Sequence, residues 1–406
     1  MIVTRKSDNP FFIAFALSLG PGLALGLARF AYALLLPAMR QDLVLSFAAA
    51  GSLNTANAAG YLVGALASVA WARRYGIRAV LLCGCLVTVS SLGVCALTTD
   101  YSFLLALRFV AGVSGAMVFS VGGLLVAQLA SEHPDRAGLL LGIYYSGIGL
   151  GIVLSAVLVP LFLATGPHGW RMAWWGLTGL GGLATMFIWR PSGAIRPHNM
   201  QASADQHVPM WSLITSLRAS LCSYFCFGVG YIGYMTFNVA LLKGRGASPL
   251  QVTVFFSLLG LAVCLSSRLW ARLLDRSRDG RAMAILNLLV GIASLLPLVS
   301  TSMTLALASG VLFGACFISA VASTTALVRH NLASAQWPAG VVLFTSTFAL
   351  GQIVGPVLVG WLSDGSGLEK GLLFSGWILI VGAAAAVWQR ALPAQAQDGA
   401  TPTVRS

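Results

Sequence analysis

Two arginines lie in stretches otherwise apolar enough to sit in lipid: Arg29, in GLALGLARFAYALLLPAM (residues 22–39), and Arg108, in LRFVAGVSGA (residues 107–116). A charged side chain at bilayer depth costs about 2.5–3.5 kcal/mol on insertion scales, so each needs a partner or a water-filled cavity. The chemistry a guanidinium offers there is two-pronged hydrogen bonding to a carboxylate or phosphate. Arg29 is about ten residues from the end of its run, about 15 Å at the helical rise, too far for its head to snorkel to the interface. It is therefore expected to face water and a solute; a helix C-terminus or backbone carbonyls are the structural alternative. Tyr32, three residues on, is expected on the same helix face. Arg108 is closer to the start of its run, where snorkelling competes with a cavity role.

Other runs add candidates of a softer kind. Tyr231, Tyr234 and Asn238 recur at spacings of three and seven, and their aromatic faces and amide could orient a small organic ligand. Helix packing is the alternative for a tyrosine stripe. Gln352, in FALGQIVGP, is a further cavity candidate, whereas Asn54, Asn57 and Tyr61 read as interhelical hydrogen-bonding residues. The eleven acids all fall in loops, tails or helix ends, and so do the five histidines. Two buried cations with no buried acid make an electropositive cleft, which favours an anion such as an organic carboxylate. That anion's charge would offset the cost of burying Arg29.

The same inventory excludes other classes. No base lies within the runs to activate a nucleophile, so an enzyme is not expected. Lys6, Lys243 and Lys370 stand in no phosphate-loop context, and no metal-ligand spacing appears, so neither a nucleotide-driven pump, a metal nor a cofactor is expected. The seven cysteines all fall inside apolar runs and read as small buried thiols.

The elements that must position these residues follow from composition. Of 406 residues 58% are hydrophobic and 9% charged, against about 25% charged in soluble domains, so most of the surface faces lipid. Twelve runs reach the length of a membrane span: 11–39, 50–72, 79–98, 102–130, 137–164, 171–189, 212–242, 250–273, 282–300, 303–328, 339–363 and 372–392. The longest polar connection, RPSGAIRPHNMQASADQHVP (190–209), divides them into six and six. The expected organisation is a first bundle over 1–189, a linker over 190–211 and a second bundle with a short tail over 212–406. The first run follows Arg5 and Lys6 but is too long for a signal peptide, so it is expected to remain as the first helix.

The net charge of +13 is a topology signal rather than a nucleic-acid footprint, because its cations sit in short patches between apolar runs. Of the 24 Lys and Arg, seventeen fall in one set of alternate loops and tails, five in the other, and two inside the runs. Cytoplasmic loops carry the excess, which puts both termini in the cytoplasm. The halves also repeat. WARRYGIRAV (71–80) ends the second run and opens the third, and WARLLDRSRDGRAM (270–283) does so for the eighth and ninth.

Repeated six-helix halves in one orientation, with LRFVAGVSGA in the fourth run, make the chain resemble the major facilitator superfamily over essentially its whole length. RFAYALLLPAM, GVGYIGYMTF (228–237) and GWRMAWWGL (169–177) are similar to its YbfB-like bacterial branch. The resemblance implies an all-α integral membrane protein of twelve transmembrane helices in two six-helix pseudo-repeats. It further implies a monomer in the bacterial inner membrane that moves a small molecule by alternating access, with helices 1, 4, 7 and 10 lining a central cavity. The family's inner-loop latch maps onto Arg74, Gly76 and Arg78, with Val69 and Arg73 where its Gly and Asp would stand, and in the second half onto Asp275 and Arg276. In family antiporters the residue matching Arg108 is associated with proton coupling, which usually needs a membrane carboxylate. GIGLGI (147–152) lacks the Gly-Pro of the antiporter motif and reads as a close helix contact. The leading expectation is carriage of an organic anion, and a proton-coupled multidrug efflux pump is the alternative.

Overall fold

The computed structural model describes residues 9–195, 210–333 and 336–392. Arg5, Lys6, Arg196 and Arg405, and most of the polar linker, lie outside them. So do Asp8, Asp205, Asp398, His198 and His207.

Twelve long helices are present among the described residues. The first half holds α1 (Pro10–Asp42), α2 (Phe47–Tyr75), α3 (Ile77–Cys95), α4 (Tyr101–Glu132), α5 (Ala137–Leu163) and α6 (Gly169–Trp189). The second holds α7 (Met210–Gly244), α8 (Pro249–Arg276), α9 (Arg281–Val299), α10 (Met303–Asn331), α11 (Trp337–Ser366) and α12 (Leu368–Val387). Ten are long and apolar enough to cross a membrane by length and composition. The other two are α2, diluted by Asn, Ser and Gly, and α6, rich in Gly and Trp.

Local chemistry sets the ends. Ser46 Oγ accepts from Ala49 N at 3.1 Å to start α2, Asp100 Oδ1 accepts from Phe103 N at 2.6 Å to start α4, and Ser248 with Gln251 closes a capping box before Pro249. The last run, expected over 372–392, instead starts at Leu368, because Gly367 at φ 88° breaks α11 from α12. The cysteines are free, but Cys83 and Cys222 are exposed rather than buried as expected. A thiol is apolar enough to face lipid, so burial is not required of it.

The largest departure from the sequence reading is inside α1, where Gly22–Phe30 is π-helical and Ala31 N–H reaches back five residues to Gly26 O at 3.0 Å. Gly22 and Gly26 lie against α5 at Gly147 and Gly151. A Cβ on Gly26 would stand 2.6 Å from Gly151 Cα, and one on Gly147 would overlap the Ser18 carbonyl oxygen. Bare backbones on both helices therefore permit the contact, and the wide turn re-aims the side chains that follow it.

The two halves meet along α2/α11 and α5/α8. At the first seam Thr55 Oγ1 donates to Ile353 O at 2.7 Å, and a Cβ on Gly360 would stand 2.5 Å from Phe47 O. Asp364 of α11 caps the start of α2, accepting from Phe47 N at 2.7 Å and Ala48 N at 2.9 Å. At the second seam Gly260 faces the Gly149 carbonyl, and Cys264 donates to Ser146 O at 3.3 Å. These contacts lie mid-span or toward the arginine-poor end. Toward the arginine-rich end α8 has no buried residue beyond Ser266, and α2 has only Ser68 and Ala72 beyond Gly64. The halves are joined at one end and diverge at the other.

Two outcomes follow from this packing. Gly147→Ala should lower stability by about 1–3 kcal/mol through overpacking against Ser18, whereas Gly142→Ala, inside the same helix with nothing within 4 Å of the added carbon, should shift unfolding in detergent the other way, by about 0.5–1 kcal/mol. Asp364→Ala should remove a cross-half cap worth about 0.5–2 kcal/mol and raise the population separated at the arginine-poor end by about 2- to 30-fold. Distance distributions between spin labels at Gln41 and Gly365 would read that shift.

Candidate functional site

Arg29 is 2% exposed, and its one side-chain hydrogen bond among the described residues runs from Nη2 to Gln352 Oε1 at 2.8 Å. Gln352 is fully buried on α11 and donates from Nε2 to the Tyr231 hydroxyl on α7. The guanidinium carbon lies 5.4 Å from the Tyr61 ring centroid of α2, where the ring's electron-rich face attracts a cation. Arg29 Nε is buried without a partner. Among the described residues the ion pairs are Asp42 with His168, Glu369 with Arg245 and Asp279 with Arg281, so no carboxylate answers Arg29.

An aromatic wall adjoins this centre. Tyr231 stacks on Phe348 with ring centroids 5.4 Å apart, on Phe227 at 5.0 Å and on Phe317 at 5.9 Å. Tyr224 continues the stack against Phe348 at 4.8 Å, and Phe30 meets Phe317 edge-on. Glycines hold α7 and α11 close enough for these rings to interleave: Gly351 meets Gly228, and a Cβ on Gly355 would stand 2.6 Å from Val229 O. Because Gly351 and Gly355 flank Gln352 in the chain, the same contacts fix its position on the second half.

Arg108 occupies a different site. It is 1% exposed and does not snorkel. Nη1 donates to the Ala28 carbonyl beside the end of the π-helical segment, and Nη2 reaches Asn54 Oδ1 at 3.4 Å. Its guanidinium lies over the rings of Tyr32, at 5.0 Å, and Trp174, at 5.8 Å. Asn54 also donates to Thr236 Oγ1 of α7 at 2.7 Å, so the interhelical role expected of Asn54 is present and crosses between the halves. Asn57 likewise bonds the Arg108 carbonyl at 3.1 Å.

Tyr32 goes with Arg108, not with Arg29. Its hydroxyl donates to Ala50 O at 2.8 Å. The expectation of a shared face assumed an unbroken α-helix, and the π-turn ending beside Ala31 removes that assumption. The α7 stripe is likewise divided. Tyr231 belongs to the Arg29 cluster, Tyr234 hydrogen-bonds Ser309 and stacks on Phe313 at 4.2 Å, and both amide atoms of buried Asn238 lack a partner.

Of the expected latch residues, Gly76 turns the chain at φ 89° and Arg78 donates to Trp189 O at 3.0 Å within its own half. Arg74 lies over the adjacent Tyr75 ring. Among the described residues no hydrogen bond or ion pair links Arg74, Asp275 or Arg276 to the opposite half, where the two halves stand apart.

Tyr61, expected as an interhelical hydrogen-bonding residue, instead offers its ring face to Arg29, and Phe227, Phe317 and Phe348 were not among the expected site residues. A signal existed in aromatic pairs four residues apart, 227/231, 313/317 and 344/348, on three separate runs. Only tertiary structure brings those pairs together. For Arg108, removing a charge-assisted bond to a buried carbonyl should cost about 1.5–3 kcal/mol. Arg108→Gln is therefore expected to unfold earlier than the parent in denaturant, with loss of the α1–α4 contact as the cause.

The sequence profile of the family described as the uncharacterised MFS-type transporter YbfB matches residues 22–387. The inner membrane transport protein YdhP of Escherichia coli (strain K12) is 26% identical over 314 residues, covering 75% of this chain and 77% of that protein. Among solved structures, the nucleoside transporter NupG superposes with a TM-score of 0.73 at 14% identity, over 94% of this chain and 98% of its own. The human organic anion transporter MFSD10 (TETRAN) does so with a TM-score of 0.62 at 17% identity, over 94% and 100%. At such identities the likeness to the two structures is one of fold.

Proposed function

Because the chain belongs to the family of YbfB-type transporters of the major facilitator superfamily, we propose that the solute it moves is a small organic anion, a carboxylate bound by Arg29. The observation that carries this reading is a buried guanidinium with a single hydrogen bond, to a neutral amide, and no carboxylate partner. A cation in a low-dielectric site without a counter-charge attracts an anion, and the bidentate geometry of guanidinium suits a carboxylate. Tyr61, Tyr231 and Phe348 supply flat apolar faces beside it, which suits a ligand with an unsaturated or aromatic body. Tyr234, Asn238, Tyr32 and Arg108 act outside the direct contact.

Transport then proceeds by alternating access, with the halves rocking about a site near the midplane. With both termini cytoplasmic, as the arginine distribution directs, the separated end faces the cytoplasm and Asp364 closes the outside. The acid-free spans favour exchange of one anion for another, or a proton carried with the substrate, as the coupling mode. The carrier acts as a monomer in the bacterial inner membrane.

Thermal stabilisation of purified protein across carboxylates, phosphate esters, sugars and cationic drugs tests this reading, since a ligand that binds the folded state raises the melting temperature. One class of carboxylate should stabilise the parent. Arg29→Gln should weaken that response by about 10- to 100-fold in concentration, the worth of one charge-assisted hydrogen bond. If only cationic or neutral drugs stabilise, and Arg29→Gln responds equally, the anion reading is wrong. The apolar aromatic wall then favours the alternative, a proton-coupled multidrug efflux pump.

A further inference from the structure

Arg29 already has an occupant. Gln352 Oε1 accepts its Nη2 proton at 2.8 Å, where one oxygen of a bound carboxylate would sit. The two residues belong to opposite halves, so the bond is also a link between them. It lies one residue from the Thr55–Ile353 seam contact.

We propose that Gln352 is a built-in, displaceable occupant of the anion site: its amide oxygen holds Arg29 in the empty carrier and gives way to an incoming carboxylate. The inference rests on the reading of Arg29 as the anion-binding residue, and it adds how the empty site is kept intact and how its filling is sensed.

Three physical points support it. A buried guanidinium with no acceptor would be left desolvated, and the amide oxygen answers part of that need. The amide carries no charge, so the site stays electropositive and still attracts anions, and a hydrogen bond to an ionised acceptor is roughly twice as strong as one to a neutral acceptor. An arriving carboxylate therefore wins the contest for Arg29. Once displaced, Gln352 keeps one anchor, because its Nε2 still donates to the Tyr231 hydroxyl on the same half; only Oε1 loses its partner, a neutral acceptor whose loss costs less than a charge-assisted bond to the carboxylate gains. Displacement exchanges a protein link between halves for a ligand contact, and the adjoining α2/α11 seam is the place where that exchange is felt.

The test uses full-length protein in detergent, with benzoate and succinate as probes, comparing parent, Arg29→Gln, Gln352→Glu and Gln352→Ala by thermal unfolding. Gln352→Glu places a permanent carboxylate on Arg29. It should melt higher than the parent without ligand and lose stabilisation by the probes. Gln352→Ala should melt lower and keep a probe response equal to or larger than the parent's. Undiminished stabilisation of Gln352→Glu would overturn the proposal, because the glutamate and the probe would then not compete. So would loss of the response in Gln352→Ala, which would make Gln352 part of the ligand contact. Failure of the anion reading itself looks different: no carboxylate, these two or any other in the panel, stabilises the parent, or Arg29→Gln responds as the parent does.

Discussion

Two guanidinium groups buried in a chain whose spans carry no carboxylate set the constraint on which the other arrangements depend. Each cation has to be answered by dipoles or aromatic faces, and the fold answers the two differently. Arg108 is surrounded by its own half, with a carbonyl at the edge of the π-helical segment, an asparagine oxygen and two aromatic rings. Arg29 receives one amide oxygen, supplied from the other half, and one ring. The Nε of each is buried without a partner among the described residues, so the two differ in their other nitrogens: Arg108 uses both Nη atoms within its own half, and Arg29 uses one, across the halves.

That division depends in turn on backbone approach. The π-turn of α1 exists where Gly22 and Gly26 lie against Gly147 and Gly151, and across its end Arg29 and Tyr32 join different clusters. Glycine pairs recur at Gly149 with Gly260 and at Gly228 with Gly351, so the second half positions its contributions by the same device. In a membrane, where apolar burial gives helices no preference for each other over lipid, close backbone contact supplies much of what packing can offer.

How much of this could be read in advance differs by kind of feature. Twelve spans, two halves and the repeated basic turn were legible because hydropathy and charge are written residue by residue along the chain. Arg29 was legible because a charge in an apolar run is costly wherever its partner lies. Its relation to Tyr32 was not, since a three-residue spacing implies a shared face only on an α-helix, and nothing local in GLALGLARF announces a wider turn. Gln352 looked like a minor candidate, because an amide in an apolar run is common and its weight here comes from a residue 323 positions away. The aromatic wall was hidden for a related reason, with its rings drawn from α7, α10 and α11 and each looking like ordinary packing on its own helix.

A carrier that rocks between two states needs contacts across its halves that are neither too weak to hold an empty site nor too strong to release. The seam observed here follows that requirement. None of its mid-span links is an ion pair: threonine to carbonyl, asparagine to threonine, and the Arg29 cation to a neutral amide. The carboxylate of the seam, Asp364, caps backbone N–H groups at the rim, where water can take over its hydrogen bonds when the halves part. A buried arginine–carboxylate pair in the same place would have resisted separation, because breaking it strands a charge in a low-dielectric interior at a cost of about 3–5 kcal/mol. On the reading proposed for Arg29, the missing membrane carboxylate leaves its charge complement to arrive with the solute, so that the strongest interaction at the centre would form only when there is something to carry.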